Sequence, residues 1–181
     1  SIKITELGAL GHAVEDFLAL EAAGWKGRKH TALLCNPADA NFARQLVSTL
    51  APQGDAWIHA ITLDRRPISM QIMLRAGSTV FTWKTAYDEA LRDFSPGMLL
   101  WEDYTAAFLA DPSIAVVDFC AYDESSFMAG WSERESMIDL WLDARRNGSA
   151  AFVYLSRLQE TCLRLRARAK SLYLAHIRRR G

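Results

Sequence analysis

The chain has 181 residues, half of them apolar, and its 21 basic residues balance 21 acidic ones to a formal charge of zero. That length can bury a full core as one unit, while the balance removes the basic excess of a nucleic-acid binder, so no nucleic-acid partner is expected. No run of about 18 apolar residues reads as a membrane span, and Cys35, Cys120 and Cys162 are spaced for reduced thiols in a cytoplasmic setting rather than a disulfide framework.

In chain order, Asp16 to Ala23 carries Phe17, Leu18 and Leu20 at helical spacing and stops at Gly24; Pro37 opens a second helix containing Phe42, Leu46 and Leu50. Three strand-like runs follow, Trp57 to Leu63, Ile68 to Arg75 and Val80 to Thr85, with connectors short enough for an antiparallel meander. In the second run Ile68, Met70, Ile72 and Leu74 share one face and Ser69, Gln71, Met73 and Arg75 the other, the alternation of a half-buried strand. A helix is predicted over Gly97 to Ala110, a strand over Ile114 to Phe119, a helical segment around Ser125 to Trp131, a strand around Met137 to Leu142, and a long helix from Ser149 to His176. The last carries Leu155, Leu158, Cys162, Leu165, Ala169 and Leu172 as a narrow apolar seam, with arginines elsewhere. Those arginines read as a solvated face of a docked helix or as a contact for an acidic protein partner or membrane surface.

The most informative stretch joins the third strand to the next helix. Ser95 is a good N-cap residue, Pro96 suits the first helical position, and Gly97 lets another molecule approach the backbone. Such a start is either an ordinary capped helix or an anion site, since free N–H groups and the positive end of the dipole face outward there. Lys84, Tyr87, Asp88 and Glu89 would crowd the same mouth. Lys84, in line with Val80 and Thr82, needs a carboxylate partner if buried, with Asp88, Glu89 and Asp118 as candidates, or else contacts an acceptor.

This order of elements, with the runs Phe17 to Arg28, Trp83 to Glu89 and Phe94 to Gly97, resembles the GNAT acyltransferase fold, and within it the CelD-like branch linked with cellulose or exopolysaccharide biosynthesis and related to FemAB-like proteins. The resemblance spans roughly Gly11 to Leu142. It implies an α/β (α+β) fold: a mixed, mostly antiparallel central sheet flanked by helices, with a long C-terminal helix. It also implies acetyl-coenzyme A or another acyl-coenzyme A as co-substrate, a small-molecule or saccharide acceptor, and direct acyl transfer to an amine or hydroxyl. The chain begins at Ser1 rather than Met, and branch members are often longer, so residues 1–181 read as one domain excised from a longer protein.

By that resemblance, Phe94, Ser95, Pro96, Gly97, Met98 and Leu99 would hold the coenzyme A pyrophosphate, with Arg92 in support, although Arg92 and Gly97 only partly echo the usual spaced-glycine pattern. Asp88 or Glu89 would accept a proton, and Tyr87 or Tyr122 would donate one to the leaving thiolate unless these tyrosines simply pack. Trp25, Lys26 and Arg28 belong to a loop near the acceptor, or Trp25 plugs the core between two exposed cations; Asp118 would face the acyl end. Many branch members have a Tyr-Lys pair where this chain has Phe127-Met128, but a subset carries a Trp-x-Glu-Arg signature like Trp131 to Arg134. The rival readings are a noncatalytic module of a biosynthetic complex and amino-acyl transfer from a charged tRNA. His12, His30, His59 and His176 lack metal-ligand spacing, so no metal is expected.

Overall fold

A five-stranded sheet in the order β1-β2-β3-β4-β5 organises the computed structural model, which describes residues 1–121, 133, 140–143 and 149–178. The chain forms two compact units, Ser1–Trp131 and Ser132–Gly181. In the first, β1 (Ile2–Ile4), β2 (Ala56–Leu63), β3 (Arg66–Ala76) and β4 (Thr79–Tyr87) are antiparallel neighbours, and β5 (Val116–Asp118) adds to β4 in parallel. This is the mixed, mostly antiparallel sheet expected. The β2–β3 turn needs only Asp64 and Arg65, both left-handed at φ 50° and 66°, the backbone of a type I′ hairpin.

Helices α1 (Leu7–Ala23), α2 (Trp25–Arg28) and α3 (Pro37–Leu50) precede the meander, and α4 (Pro96–Ala110) follows it. Asn36 caps α3, its side-chain oxygen accepting the Ala38 amide at 3.0 Å ahead of Pro37 at the first position. Helix α1 starts nine residues before the expected Asp16, because Leu10, Ala13 and Val14 extend the buried stripe of Phe17 and Leu18. That burial outweighs the roughly 1 kcal/mol cost of each of Gly8 and Gly11 in a helix.

Both sheet faces are covered. Phe17 and Leu18 of α1 and Val47 of α3 pack on Ile58, Met70 and Ile72, while Leu100, Tyr104 and Phe108 of α4 pack on Trp57, Met73 and Val80. The expected half-buried β3 is therefore corrected: Ser69, Gln71 and Met73 are as fully buried against α4 as Met70 and Ile72 are on the other face. β1 escaped the sequence reading because three residues carry no usable period; it pairs Ile2 with Ala60 and Ile4 with Ile58.

The second unit contributes α5 (Ala150–Arg178), close to the long helix expected. Glu160 accepts from Arg164 one turn on, and the Thr161 hydroxyl donates to the Arg157 carbonyl at 2.8 Å. Of the strand predicted around Met137 to Leu142, residues 140–142 are irregular, and the rest lies outside the described residues, as does the segment Ser125 to Trp131.

Candidate active site at the splayed strands

Parallel pairing between β4 and β5 stops early. Thr79, Val80 and Phe81 pair with Val116, Val117 and Asp118, and β4 then runs on to Tyr87 without that neighbour. Its backbone from Thr82 onward thus faces an opening on the β5 side among the described residues.

A bulge decides what lines that opening. Met73 pairs with Thr82 and Ile72 with Lys84, leaving Trp83 as an extra residue in β4. One inserted residue exchanges the two faces of everything beyond it. Thr85 and Tyr87, in register with Gln71 and Ser69, thereby join Val80 and Thr82 on the α4 side, while Trp83 packs toward the α1 core with its ring 6.0 Å from Phe42. The expectation that Lys84 shares a face with Val80 and Thr82 is corrected for the same reason: Lys84 stands in register with Ile72, its Nζ 5.8 Å from the Trp83 ring centre. None of Asp88, Glu89 and Asp118 forms an ion pair with Lys84.

The result is a cleft of about 360 Å³ between the end of β4 and the start of α4, lined by Gln71, Thr85, Tyr87, Arg92, Ser95, Pro96, Gly97, Met98 and Tyr104. Its mouth is less rich in free amides than the sequence suggests. Ser95 has φ 49° and its side chain makes no capping hydrogen bond, so the expected side-chain cap is absent. Instead the Ser95 carbonyl accepts the Met98 and Leu99 amides at 2.9 and 3.1 Å, the Ser95 amide donates to the Arg92 carbonyl at 2.9 Å, and Pro96 has no N–H to offer. Gly97 is left as the elbow amide without a partner among the described residues. A Cβ on Gly97 would meet nothing closer than Tyr87 Cδ1 at 3.8 Å, so the missing side chain keeps the cleft open rather than relieving a clash. Arg92 is exposed at the mouth, its Nε 3.6 Å from Asp93 Oδ1. Phe94 and Leu99 are exposed beside the cleft without lining it.

The other residues singled out in the sequence are brought together on the far side of β4. Glu89 takes the Trp25 amide on one oxygen and Arg28 Nη2 on the other at 2.6 Å. Arg28 first, then the Trp25 amide, holds the Glu89 carboxyl below the usual range. Lys26 Nζ donates to buried Glu21 at 2.8 Å and to the Thr85 carbonyl at 2.9 Å, and the second Glu21 oxygen accepts the Leu33 amide at 2.8 Å. Trp25 is half exposed beneath Lys29 rather than a plug in the core. Asp88 caps the turn of Glu89–Phe94, accepting the Ala90 amide at 3.0 Å and Arg66 at 2.9 Å. Trp25, Lys26, Arg28, Asp88 and Glu89 therefore lock the α1–α2 corner and the elbow to the end of β4. Asp118 closes the paired part of β5, its Oδ1 accepting the Cys120 amide at 2.7 Å. Burial first, then Asp118, raises the Cys120 thiol. Tyr122 lies outside the described residues.

Sequence reasoning missed the cleft floor. His59, Gln71 and Thr85 stand in register across three strands, and the Gln71 carboxamide oxygen accepts the Thr85 hydroxyl. His59 sits behind them, its ring 5.8 Å from Tyr104 and 6.0 Å from Phe108, with neither ring nitrogen hydrogen-bonded. Burial, reinforced by Lys3, pushes His59 down to about 4, so it is neutral at neutral pH. Burial likewise raises the Tyr104 hydroxyl. The signal in sequence was polar residues at alternate positions of otherwise apolar strands.

With this geometry in view, residues 4–127 match the family model described as an acetyltransferase (GNAT) domain. The chain belongs to the GNAT acetyltransferase domain family. A possible acetyltransferase from Clostridium difficile 630 is similar in structure, with 11% identity, 76% of this chain and 94% of that one covered, and a TM-score of 0.53. A ribosomal-protein-alanine N-acetyltransferase from Brucella melitensis biovar Abortus 2308 is similar at 14% identity over 76% and 94% of the two chains, with a TM-score of 0.45. No curated protein matches the chain. The first of these likenesses agrees with the GNAT fold. Among the described residues no group of three or more His, Cys, Asp or Glu is arranged to hold a metal, and no helix is long and apolar enough to cross a membrane.

Proposed function

We propose that this GNAT domain transfers an acyl group from an acyl-coenzyme A thioester to an amine or hydroxyl, with a saccharide precursor of a CelD-like pathway as acceptor. The observation that carries the reading is the Gly97 amide, without a partner among the described residues, at the N-terminus of a fifteen-residue helix and in the lining of a cleft that opens where β4 loses its neighbour. One N–H, the helix dipole and the Arg92 guanidinium suit a diphosphate there. Ser95, Pro96 and Met98 shape the wall, and Phe94 and Leu99 offer apolar contact at the rim.

Acyl transfer needs a polarised thioester carbonyl, a proton sink for the nucleophile and a proton for the leaving thiolate. Tyr87 is the donor we assign to the thiolate, because it alone of Tyr87, Asp88 and Glu89 lines the cleft. Both oxygens of Asp88 and of Glu89 are already engaged, and their role is to hold the elbow; the nucleophile's proton then leaves to water. We assign Lys84 and Asp118 to contact with the acceptor and Tyr122 to the role of a second donor. We further take the domain to be cytoplasmic, part of a longer protein, with the basic face of α5 open to a protein partner.

Those engaged carboxylates also favour a second reading, a noncatalytic module that binds acyl-coenzyme A without turnover. Release of free thiol from acetyl-coenzyme A across a panel of amino sugars, sugar alcohols and simple amines separates the two. Acceptor-dependent release supports the transferase; donor binding with no release for any acceptor supports the module.

A further inference from the structure

The floor of the cleft is polar where a core face should be apolar. Gln71 is 2% exposed and lies in the middle of β3, flanked in register by His59 and Thr85 and sharing the cleft lining with Tyr104. Buried polar side chains on a central strand cost stability unless satisfied, so their presence points to a task. The Gln71 oxygen is committed to the Thr85 hydroxyl. Its nitrogen has two hydrogens, and among the described residues they meet only the Ile72 carbonyl, at a long 3.4 Å.

The Ile72 carbonyl can only accept, so it fixes which way the carboxamide faces: nitrogen toward that carbonyl with a hydrogen to spare, oxygen toward the Thr85 hydroxyl. Resting on the donor reading above, we infer that Gln71 is a positioning residue that donates a hydrogen bond from Nε2 to a carbonyl oxygen of the bound acyl-coenzyme A. An acceptor is what this orientation selects, and the donor's arm carries carbonyls at its amides and at its thioester. Either source presents the same chemistry to Nε2.

Calorimetric titration of wild type and Gln71→Met with acetyl-coenzyme A, coenzyme A and ADP distinguishes the outcomes. Methionine keeps the length and volume of the side chain and removes the donor. The expected result is about a tenfold loss of acetyl-coenzyme A affinity with ADP binding unchanged, the scale of one hydrogen bond to a ligand. A parallel loss for coenzyme A places the contact on an arm amide; an unchanged coenzyme A affinity places it on the thioester. Unchanged acetyl-coenzyme A affinity, or ADP falling in step with it, overturns the assignment. Should Gln71→Met fail to fold, Thr85→Val removes the hydroxyl that holds the carboxamide oxygen and should lower acetyl-coenzyme A affinity by a smaller factor, again sparing ADP; no change there is equally fatal. Wild type that binds none of the three ligands removes the donor reading itself, and the Gln71 contact with it.

Discussion

Gly97 illustrates how a single residue divides stability from binding. Its Cα faces the cleft with the nearest side chain 3.8 Å from where a Cβ would sit, so Gly97→Asp should fit with a stability loss of about 1 kcal/mol or less. The same carboxylate would stand where a diphosphate is held, and donor affinity should fall by at least about tenfold, readable by titration beside a thermal melt. His59 makes the opposite case, a residue whose cost lies in the fold. Its folded value is depressed to about 4 from an ordinary 6.5, so the unfolded chain binds a proton more readily between these limits. Stability is therefore full above pH 6.5 and falls as pH drops toward 4, by about 2 kcal/mol at pH 5. Denaturant melts of His59→Leu should show a flatter slope over that window, and no loss at pH 7.5, because both unsatisfied nitrogens are removed.

At the scale of elements, the α1–α2 corner and the β4 bulge set the site. A Cβ on Gly27 would fall 1.8 Å from the Ala22 carbonyl oxygen, so Gly27→Ala must push α2 away from α1 and drag the Trp25 amide and Arg28 off Glu89. Loss of donor affinity together with a lowered melting temperature is the expected outcome. Glu21→Ala should cost about 3 kcal/mol, since it takes the carboxylate partner from Lys26 and the acceptor from the Leu33 amide at once; equilibrium unfolding measures it. Much of this layer was legible in sequence: the meander followed from alternation, α3 and α4 from their prolines, and the helix order from the apolar stripes. The bulge was not, because Trp83 and Lys84 fit a regular strand as well as an interrupted one, and only pairing with β3 reveals the extra residue. The Ser95 cap was misread for a related reason. A Ser-Pro start normally implies a side-chain cap, but here the preceding turn of Glu89–Phe94 delivers Ser95 in a left-handed conformation that turns its carbonyl, not its hydroxyl, to the helix. Asp88 and Glu89 were picked out for their acidity, and the sequence held no sign that Arg66, Arg28 and two main-chain amides would occupy them.

For the whole molecule, the sheet, its two covered faces and the parting of β4 from β5 give the GNAT domain an opening among its described strands, and the proposed activity stands on what that opening holds. Titration of the full chain with acetyl-coenzyme A, wild type beside Gly97→Asp, addresses this most directly. Saturable binding by wild type, weakened at least about tenfold in the variant while both melt alike, is what the geometry predicts. Equal affinity in the two proteins, or no binding by wild type at millimolar ligand, would contradict it.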